Sequence, residues 1–175
     1  MLNFKKNTIK NVCLIGLMGS GKTVIAKELS QILELNFIDT DYEIEKYIGK
    51  SIKKIFEEHG EIFFRKIEEE MCVKVLENRN SIISLGGGSI LNRNIRNSMK
   101  NNSYSIFINV DIKIIIKRLS NSKKRPLLNK GNKEKILKNL FYERIKYYNQ
   151  ADLVVENDLD KKEIIKKIIN ELKND

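Results

Sequence analysis

The residues best suited to chemistry stand near the start of the chain, where a glycine-rich run ends in a lysine and a threonine. The pattern is Gly16-x-x-x-x-Gly21-Lys22-Thr23, with an apolar run at residues 12–15 before it and helical apolar spacing after it. Strand, glycine-rich loop and helix in this order are the setting of a phosphate-binding P-loop. In such a loop, backbone N–H groups and the positive end of the helix face one anion. We therefore expect bound nucleotide phosphates, with Lys22 on the β- and γ-phosphates and the Thr23 hydroxyl on Mg²⁺.

Two carboxylates, Asp39 and Asp41, come at the end of the next apolar run, which begins at residue 35. Ligands of open parallel sheets bind beyond the carboxyl ends of the strands. We therefore expect both carboxylates at a strand tip that faces the P-loop. That position favours a role on a metal ion or a substrate hydroxyl over simple helix capping.

An ion pair and a triple glycine follow. Arg65 and Glu68 are three residues apart in a helical pattern, so the carboxylate can hold the guanidinium in place. Taken alone, such a pair is also typical of a solvated helix face. Gly86, Gly87 and Gly88 end the apolar run at residues 81–85. Glycines there either let the backbone approach a ligand closely or form a tight turn.

Strands alternating with helices position these residues. Such alternation predicts an α/β fold in which helices cover both faces of a parallel sheet. Strands are expected at residues 12–15, 35–41, 81–85, 104–110 and 152–156, and helices at 24–33, 42–48, 51–59, 60–78, 111–119, 133–148 and 160–173. Residues 120–132 contain the chain's one proline and many polar residues, which indicates a flap rather than a linker between domains.

The composition is that of a globular domain. The chain has 175 residues, of which 41% are hydrophobic and 32% charged, so one domain spanning residues 1–175 is expected. No apolar stretch is long enough to cross a bilayer, and no signal-peptide segment precedes the first strand, so the cytoplasm is expected. Cys13 and Cys72 have no metal or redox spacing and are expected as small core side chains.

The net charge of +10 raises the possibility of nucleic-acid binding. The lysines, however, are interleaved with glutamate and asparagine along helix faces, which is typical of a solvated basic surface. No aromatic residues alternate with them as in a base-stacking platform. A nucleotide-dependent RNA- or DNA-binding module is therefore the weaker alternative, and it would show steeply salt-dependent binding.

The combination of motifs resembles the shikimate kinases over about residues 12–158. The residues that carry the resemblance are the P-loop, Asp39 and Asp41, Arg65 and Glu68, Gly86-Gly87-Gly88, Arg125-Pro126-Leu127-Leu128 and Arg144-x-x-x-Tyr148. The resemblance implies a three-layer α/β/α P-loop kinase fold with a five-stranded parallel sheet of order 2-3-1-4-5 and a lid at about 120–132. It also implies ATP-dependent phosphorylation of the 3-hydroxyl of shikimate, with acceptor-binding helices at about 41–68 and a monomeric enzyme.

The resemblance further implies residue roles. It assigns ATP to Gly16, Gly19, Ser20, Gly21, Lys22, Thr23, Arg118 and Arg125; shikimate to Asp41, Arg65, Gly87, Gly88 and Arg144; and Mg²⁺ to Thr23 and Asp39. Lys22, Asp41 and Arg125 are the implied catalytic residues. Asp41 would orient or deprotonate the attacking hydroxyl, Arg118 would lie over the adenine, and Ser84 would join the metal shell through water.

One position departs from the family pattern, and one rival kinase remains. The family usually has proline two residues after Arg144, where this chain has Lys146. The departure puts the local helix ending in question more than the arginine. Gluconate is also a hydroxylated carboxylate, so a gluconate kinase is the nearest rival, followed by a nucleoside monophosphate kinase. Asp41, Arg65 and the triple glycine argue against both.

Overall fold

The protein is a single parallel sheet covered by helices, and its computed structural model describes residues 10–119, 128, 131–157 and 160–174. The sheet order is β2-β3-β1-β4-β5, and all four pairings are parallel. The strands are β1 (Asn11–Ile15), β2 (Asn36–Asp39), β3 (Ser81–Ser84), β4 (Ser103–Asn109) and β5 (Leu153–Glu156). The helices are α1 (Lys22–Ile32), α2 (Thr40–Ile48), α3 (Ile52–Leu76), α4 (Arg93–Asn102), α5 (Ile112–Leu119), α6 (Lys133–Tyr148) and α7 (Lys161–Asn174). The predicted fold class and strand order are confirmed.

The central strand β1 is buried on both faces, as its unbroken apolar run predicts. Val12 and Leu14 point into a core that includes side chains of α1 and α7. Cys13 and Ile15 point to the opposite face and a core built with α3 and α4. Because side chains of a strand alternate between faces, one short strand anchors both helical layers.

The two cysteines are buried thiols, as expected. Cys13 in β1 and Cys72 in α3 are both free and fully enclosed. Burial raises the pKa of each thiol. Both side chains therefore act as small apolar core residues rather than as reactive thiolates.

Helix α3 is interrupted at Gly60, where φ is 79° and ψ is 176°. The sequence predicts two helices meeting at this glycine, and the break confirms it. Ser51 caps the first segment, its hydroxyl accepting a hydrogen bond of 3.3 Å from the Lys54 N–H. Ile44, Ile55 and Phe64 form a third, small core between α2 and α3.

Two features of the structure, helix α4 and the position of Asp41, differ from expectation. Helix α4 was not predicted, because only Ile95 and Met99 of its residues are buried and its other positions are mostly polar. Asp41 does not end a strand: β2 stops at Asp39, which caps α2 by accepting from the Tyr42 N–H, and Asp41 lies in the first turn of α2. The expected lid lies mainly outside the described residues, except for a few positions such as Leu128, whose side chain is buried in the core.

None of the described helices is long and apolar enough to span a bilayer.

Candidate active site

The P-loop joins β1 to α1 through three glycines with positive φ. Gly16, Gly19 and Gly21 have φ values of 146°, 80° and 93°, which other residues rarely adopt. A Cβ on Gly16 would also lie 2.7 Å from the Ile108 carbonyl oxygen of β4. The loop can therefore pass this close to the sheet only with glycine at that position.

Lys22 begins α1 and folds back over the loop that precedes it. Its Nζ donates hydrogen bonds to the carbonyls of Gly16 and Leu17, at 2.9 and 3.1 Å, and the residue is buried. The ammonium group is thus fixed beside the loop's backbone N–H groups, where a phosphate anion gains from both.

Three side-chain oxygens meet next to the P-loop. The Thr23 hydroxyl donates to Asp39 Oδ2 at 2.8 Å and lies 3.4 Å from Ser84 Oγ. The described residues contain no cluster of three or more His, Cys, Asp or Glu side chains that could hold a metal ion alone. A hydroxyl and one carboxylate beside a phosphate site nevertheless fit Mg²⁺, which keeps waters and takes its other ligands from phosphates.

A pocket of about 1160 Å³ opens beside the loop and the start of α1. Arg118 at the end of α5 lines it and donates to the Gly19 carbonyl at 3.1 Å. Asn157 lines it as well, and its side-chain amide donates to the Ser20 carbonyl at 2.7 Å. Sequence reasoning missed Asn157, although its place just after β5, at the carboxyl edge of the sheet, was a usable signal.

A second cleft of about 450 Å³ lies between the P-loop, α2, α3, α6 and the loop of Gly86, Gly87 and Gly88 after β3, called the glycine loop below. It brings together every acceptor residue expected from the sequence. Its lining comprises Met18, Asp41, Ile52, Phe56, Phe64, Arg65, Glu68, Gly86, Gly87, Gly88 and Arg144. The lining therefore combines apolar side chains with two cations, two carboxylates and glycine backbone.

Arg65 is held by two carboxylates of its own helix. Its Nη1 donates to Glu68 at 2.6 Å, and its Nε and Nη2 donate to Glu61 at 3.2 and 3.0 Å. Glu68 is 3% exposed and also accepts from the Ser89 hydroxyl at 2.9 Å. Burial raises the pKa of Glu68, and Asp41 adds to this, while Arg65 and Ser89 oppose it. Burial acts to lower the pKa of Arg65, but the two carboxylates outweigh it and the guanidinium stays charged.

The loop after β3 is tied to the start of α2. The Gly86 N–H donates to the Thr40 hydroxyl at 2.9 Å, and that hydroxyl donates to the Ser84 carbonyl at 3.3 Å. A Cβ on Gly86 would lie 2.7 Å from Asp41 Oδ1. Glycine at this position therefore leaves room for the Asp41 carboxylate. Sequence reasoning did not identify Thr40, because its partners are distant in the chain.

Arg144 reaches the same loop from α6. It is 1% exposed, and its Nη1 donates to the Gly87 carbonyl at 3.1 Å. Its Nε is buried without a hydrogen-bond partner among the described residues. Buried donors are normally satisfied, so this unpaired Nε is unusual among the described residues. Lys146 lies within α6, which continues to Tyr148, so lysine at the proline position leaves the helix intact.

Arg125, expected from the sequence to contact the phosphates, lies outside the described residues, as do Pro126 and Leu127. The remaining expected positions form two adjoining groups. The first group is the P-loop with its two neighbours Asp39 and Arg118, and it contains Gly16, Gly19, Ser20, Gly21, Lys22 and Thr23. The second group is the set of acceptor residues that line the second cleft. Met18 of the P-loop lines that cleft too, so the two sites are contiguous.

Comparison with known proteins gives a consistent result. A family model described as shikimate kinase matches residues 18–173. A shikimate kinase of Aquifex aeolicus is 40% identical over 158 residues, covering 90% of this chain and 93% of the relative. One of Caldanaerobacter subterraneus is 36% identical over 162 residues, covering 92% and 95%.

Solved structures agree. Shikimate kinase from Acinetobacter baumannii in complex with shikimate has a TM-score of 0.91 at 30% identity, covering 95% of this chain and 94% of that one. A gluconokinase from Sinorhizobium meliloti has a TM-score of 0.58 at 12% identity, covering 97% of this chain and 94% of that one, a similarity of fold alone.

Proposed function

Since the chain belongs to the shikimate kinase family, it transfers the γ-phosphoryl group of ATP to the 3-hydroxyl of shikimate, and we propose how its residues divide this reaction. The products are shikimate 3-phosphate and ADP, in the biosynthesis of chorismate and the aromatic amino acids. One observation carries the division of roles. Two arginines and a carboxylate line a cleft that shares Met18 with the phosphate loop.

The phosphate side belongs to the P-loop. Gly16, Gly19, Ser20 and Gly21 belong to the loop whose backbone surrounds the phosphates, and Lys22 adds a positive charge fixed by its two carbonyl contacts. Phosphoryl transfer depends mainly on alignment and on neutralising charge, so a preorganised ammonium group lowers the barrier without moving during the reaction.

The acceptor side binds an anion at one end and a hydroxyl at the other. Arg65 and Arg144 pair with the shikimate carboxylate, since a planar guanidinium matches a carboxylate with two parallel hydrogen bonds. Gly87 and Gly88 donate backbone N–H groups to the same molecule. Asp41 accepts from the ring hydroxyls and orients or deprotonates the attacking one.

Thr23 and Asp39 are the proposed magnesium ligands, with Asp39 and Ser84 acting through water. Their oxygen atoms converge beside the phosphate loop. Mg²⁺ held by these residues would neutralise charge on the ATP phosphates. Thr23 and Asp39 would fix the position of the ion relative to the phosphates.

Two further roles belong to basic residues near the nucleotide. Arg118 lines the nucleotide pocket, and we assign it to the adenine. Arg125 belongs to the proposed lid at residues 120–132 and approaches the phosphates when the lid closes. Exclusion of water by such a lid prevents water from replacing shikimate as the acceptor.

The chain acts as a monomeric, single-domain enzyme of the cytoplasm and has no nucleic-acid partner. Several of its lysines pair with neighbouring carboxylates, as in Lys53–Glu57, Lys138–Glu134 and Lys161–Glu28. Such pairing offsets the positive charge of these lysines, which supports a solvated basic surface over a nucleic-acid-binding face.

The test is ADP release with Mg·ATP and shikimate, alongside gluconate, AMP and a control without acceptor. If shikimate is the one acceptor that gives turnover with Mg·ATP, the assignment is supported. Turnover with gluconate in place of shikimate contradicts the proposed acceptor site. In Arg65→Ala the KM for shikimate should rise about 100-fold, because a charged hydrogen-bond partner is lost, while the KM for ATP stays within about twofold. Arg93→Ala, which changes an exposed arginine of α4, is the control.

A further inference from the structure

One backbone carbonyl of the glycine loop receives two side-chain hydrogen bonds. The phenol of Tyr148 donates to the Gly87 carbonyl at 2.6 Å, and Arg144 donates to the same oxygen at 3.1 Å. The neighbouring carbonyls of Gly86 and Gly88 accept from the backbone N–H groups of Ser89 and Leu91 instead. The Gly87 oxygen is thus the point at which α6 holds the loop.

Tyr148 is fixed in the position from which it donates. It is 1% exposed, and its ring stacks on Phe107 of β4 with centroids 4.9 Å apart and an angle of 17° between the planes. Burial raises the pKa of Tyr148 and outweighs the opposing effect of Arg144. The phenol therefore keeps its proton at neutral pH and acts as a permanent donor.

The Gly87 carbonyl and the Gly88 N–H belong to one planar peptide unit, so whatever orients the oxygen also orients the N–H. Glycines on both sides leave such a plane free to rotate, because they have no side chain to restrict φ and ψ. Hydrogen bonds accepted by the oxygen also polarise the peptide and strengthen the N–H as a donor.

We propose that Tyr148 is a positioning residue of the acceptor site, which fixes and polarises the Gly87–Gly88 peptide so that its N–H meets shikimate in a constant direction. The proposal rests on the proposed function, in which the Gly88 N–H binds this substrate. Tyr148 follows Arg144 by one helical turn, so the same helix face carries a residue that binds the substrate and one that orients the loop beside it.

Tyr148→Phe is the direct test, because it keeps the ring that stacks on Phe107 and removes only the hydroxyl. Tyr147→Phe is the matched control: Tyr147 is adjacent on α6, and its ring lies 4.2 Å from the Arg96 guanidinium, a contact that phenylalanine keeps. In Tyr148→Phe we expect the KM and the dissociation constant for shikimate to rise about fivefold, from one weakened hydrogen bond. The KM for ATP should stay within about twofold in both variants.

The outcomes separate the two proposals. An unchanged KM for shikimate in Tyr148→Phe overturns the positioning role, and so does an equal rise in the KM values of both substrates, which indicates general loosening. If the wild-type chain itself fails to phosphorylate shikimate, the proposed function is at fault instead.

A second measurement covers poor folding of the variant. In wild-type protein with ¹³C-labelled tyrosine and ¹⁵N-labelled glycine, shikimate should shift the Tyr148 Cζ and Gly88 N–H resonances with one dissociation constant. A shifted Gly88 resonance with an unchanged Tyr148 resonance overturns the proposal.

Discussion

A single methyl group at Gly88 should weaken acceptor binding without harming the fold. A Cβ built at this position would lie 2.5 Å from Arg65 Nη1 and 2.9 Å from Cζ and Nη2. Since unstrained contacts need about 3.5 Å, the guanidinium must move by about 1 Å. A shift of that size away from Glu68 would lengthen the Arg65–Glu68 hydrogen bond from 2.6 Å to about 3.6 Å, beyond hydrogen-bonding distance, and would move the guanidinium out of the geometry that a carboxylate requires.

The expected loss follows from that contact. A hydrogen bond to a charged group contributes about 1.5–3 kcal/mol, which corresponds to about a 10- to 100-fold rise in the KM for shikimate in Gly88→Ala. The KM for ATP should not change, because the P-loop is untouched.

Folding stability should change little. Gly88 has φ −90° and ψ −20°, a conformation that alanine adopts freely. Replacing such a glycine stabilises a protein by about 0.4–1 kcal/mol through the unfolded chain, which offsets part of the cost of displacing Arg65.

Gly49→Ala is the matched control. Gly49 has φ 71° and open space around the added Cβ, so alanine there is strained by about 1–2 kcal/mol, and Gly49 does not line the cleft. Thermal unfolding and initial rates across shikimate concentrations give both quantities. If Gly88→Ala binds shikimate as the wild type does, the Arg65 geometry seen here is not the one that binds the carboxylate, and the reasoning is refuted.

Two further predictions concern the ends of the site. In Asn157→Ala the KM for ATP should rise about fivefold while the KM for shikimate is unchanged, because the hydrogen bond to the Ser20 carbonyl is lost from the P-loop; equal effects on both substrates would argue against this. In the wild type, the KM for shikimate should rise as pH falls through the raised pKa of Glu68, because protonation of Glu68 releases Arg65. In Glu68→Gln this pH dependence should disappear, since residue 68 no longer titrates. A rise that persists in the variant would contradict the assignment. Because that pKa is raised on folding, the contribution of Glu68 to the free energy of unfolding is greatest below pH 4.5 and falls as pH rises through the folded-state pKa, a slope that Glu68→Gln should remove in unfolding titrations.

Local signals in the sequence were strong where a residue's role depends on its neighbours in the chain. The glycines of the P-loop require positive φ, so the pattern from Gly16 to Thr23 predicts both the turn and the site. Gly60 marks the break in α3 for the same reason. The alternation of strands and helices then limits the fold to a parallel sheet, and the strand tips locate the cleft.

Signals were weak where a role depends on distant partners. Helix α4 buries only two side chains, so its hydrophobic pattern is too sparse to stand out. Thr40 joins the loop after β3 through its hydroxyl, and Asn157 holds a P-loop carbonyl 137 residues earlier in the chain. No local pattern distinguishes such residues from ordinary threonine or asparagine. The roles of Asp41, Arg65 and Arg144 came from family resemblance, and the structure adds their mutual placement.

The break in α3 at Gly60 affects how acceptor specificity can evolve in this enzyme. The segment before it contributes Ile52 and Phe56 to the cleft and packs largely on the small core of Ile44, Ile55 and Phe64. A mutation of Ile52 or Phe56 therefore lowers the stability of the small core more than that of the sheet or the P-loop. Selection for a new acceptor can therefore act first on the apolar residues Ile52 and Phe56, while the residues of the P-loop stay unchanged.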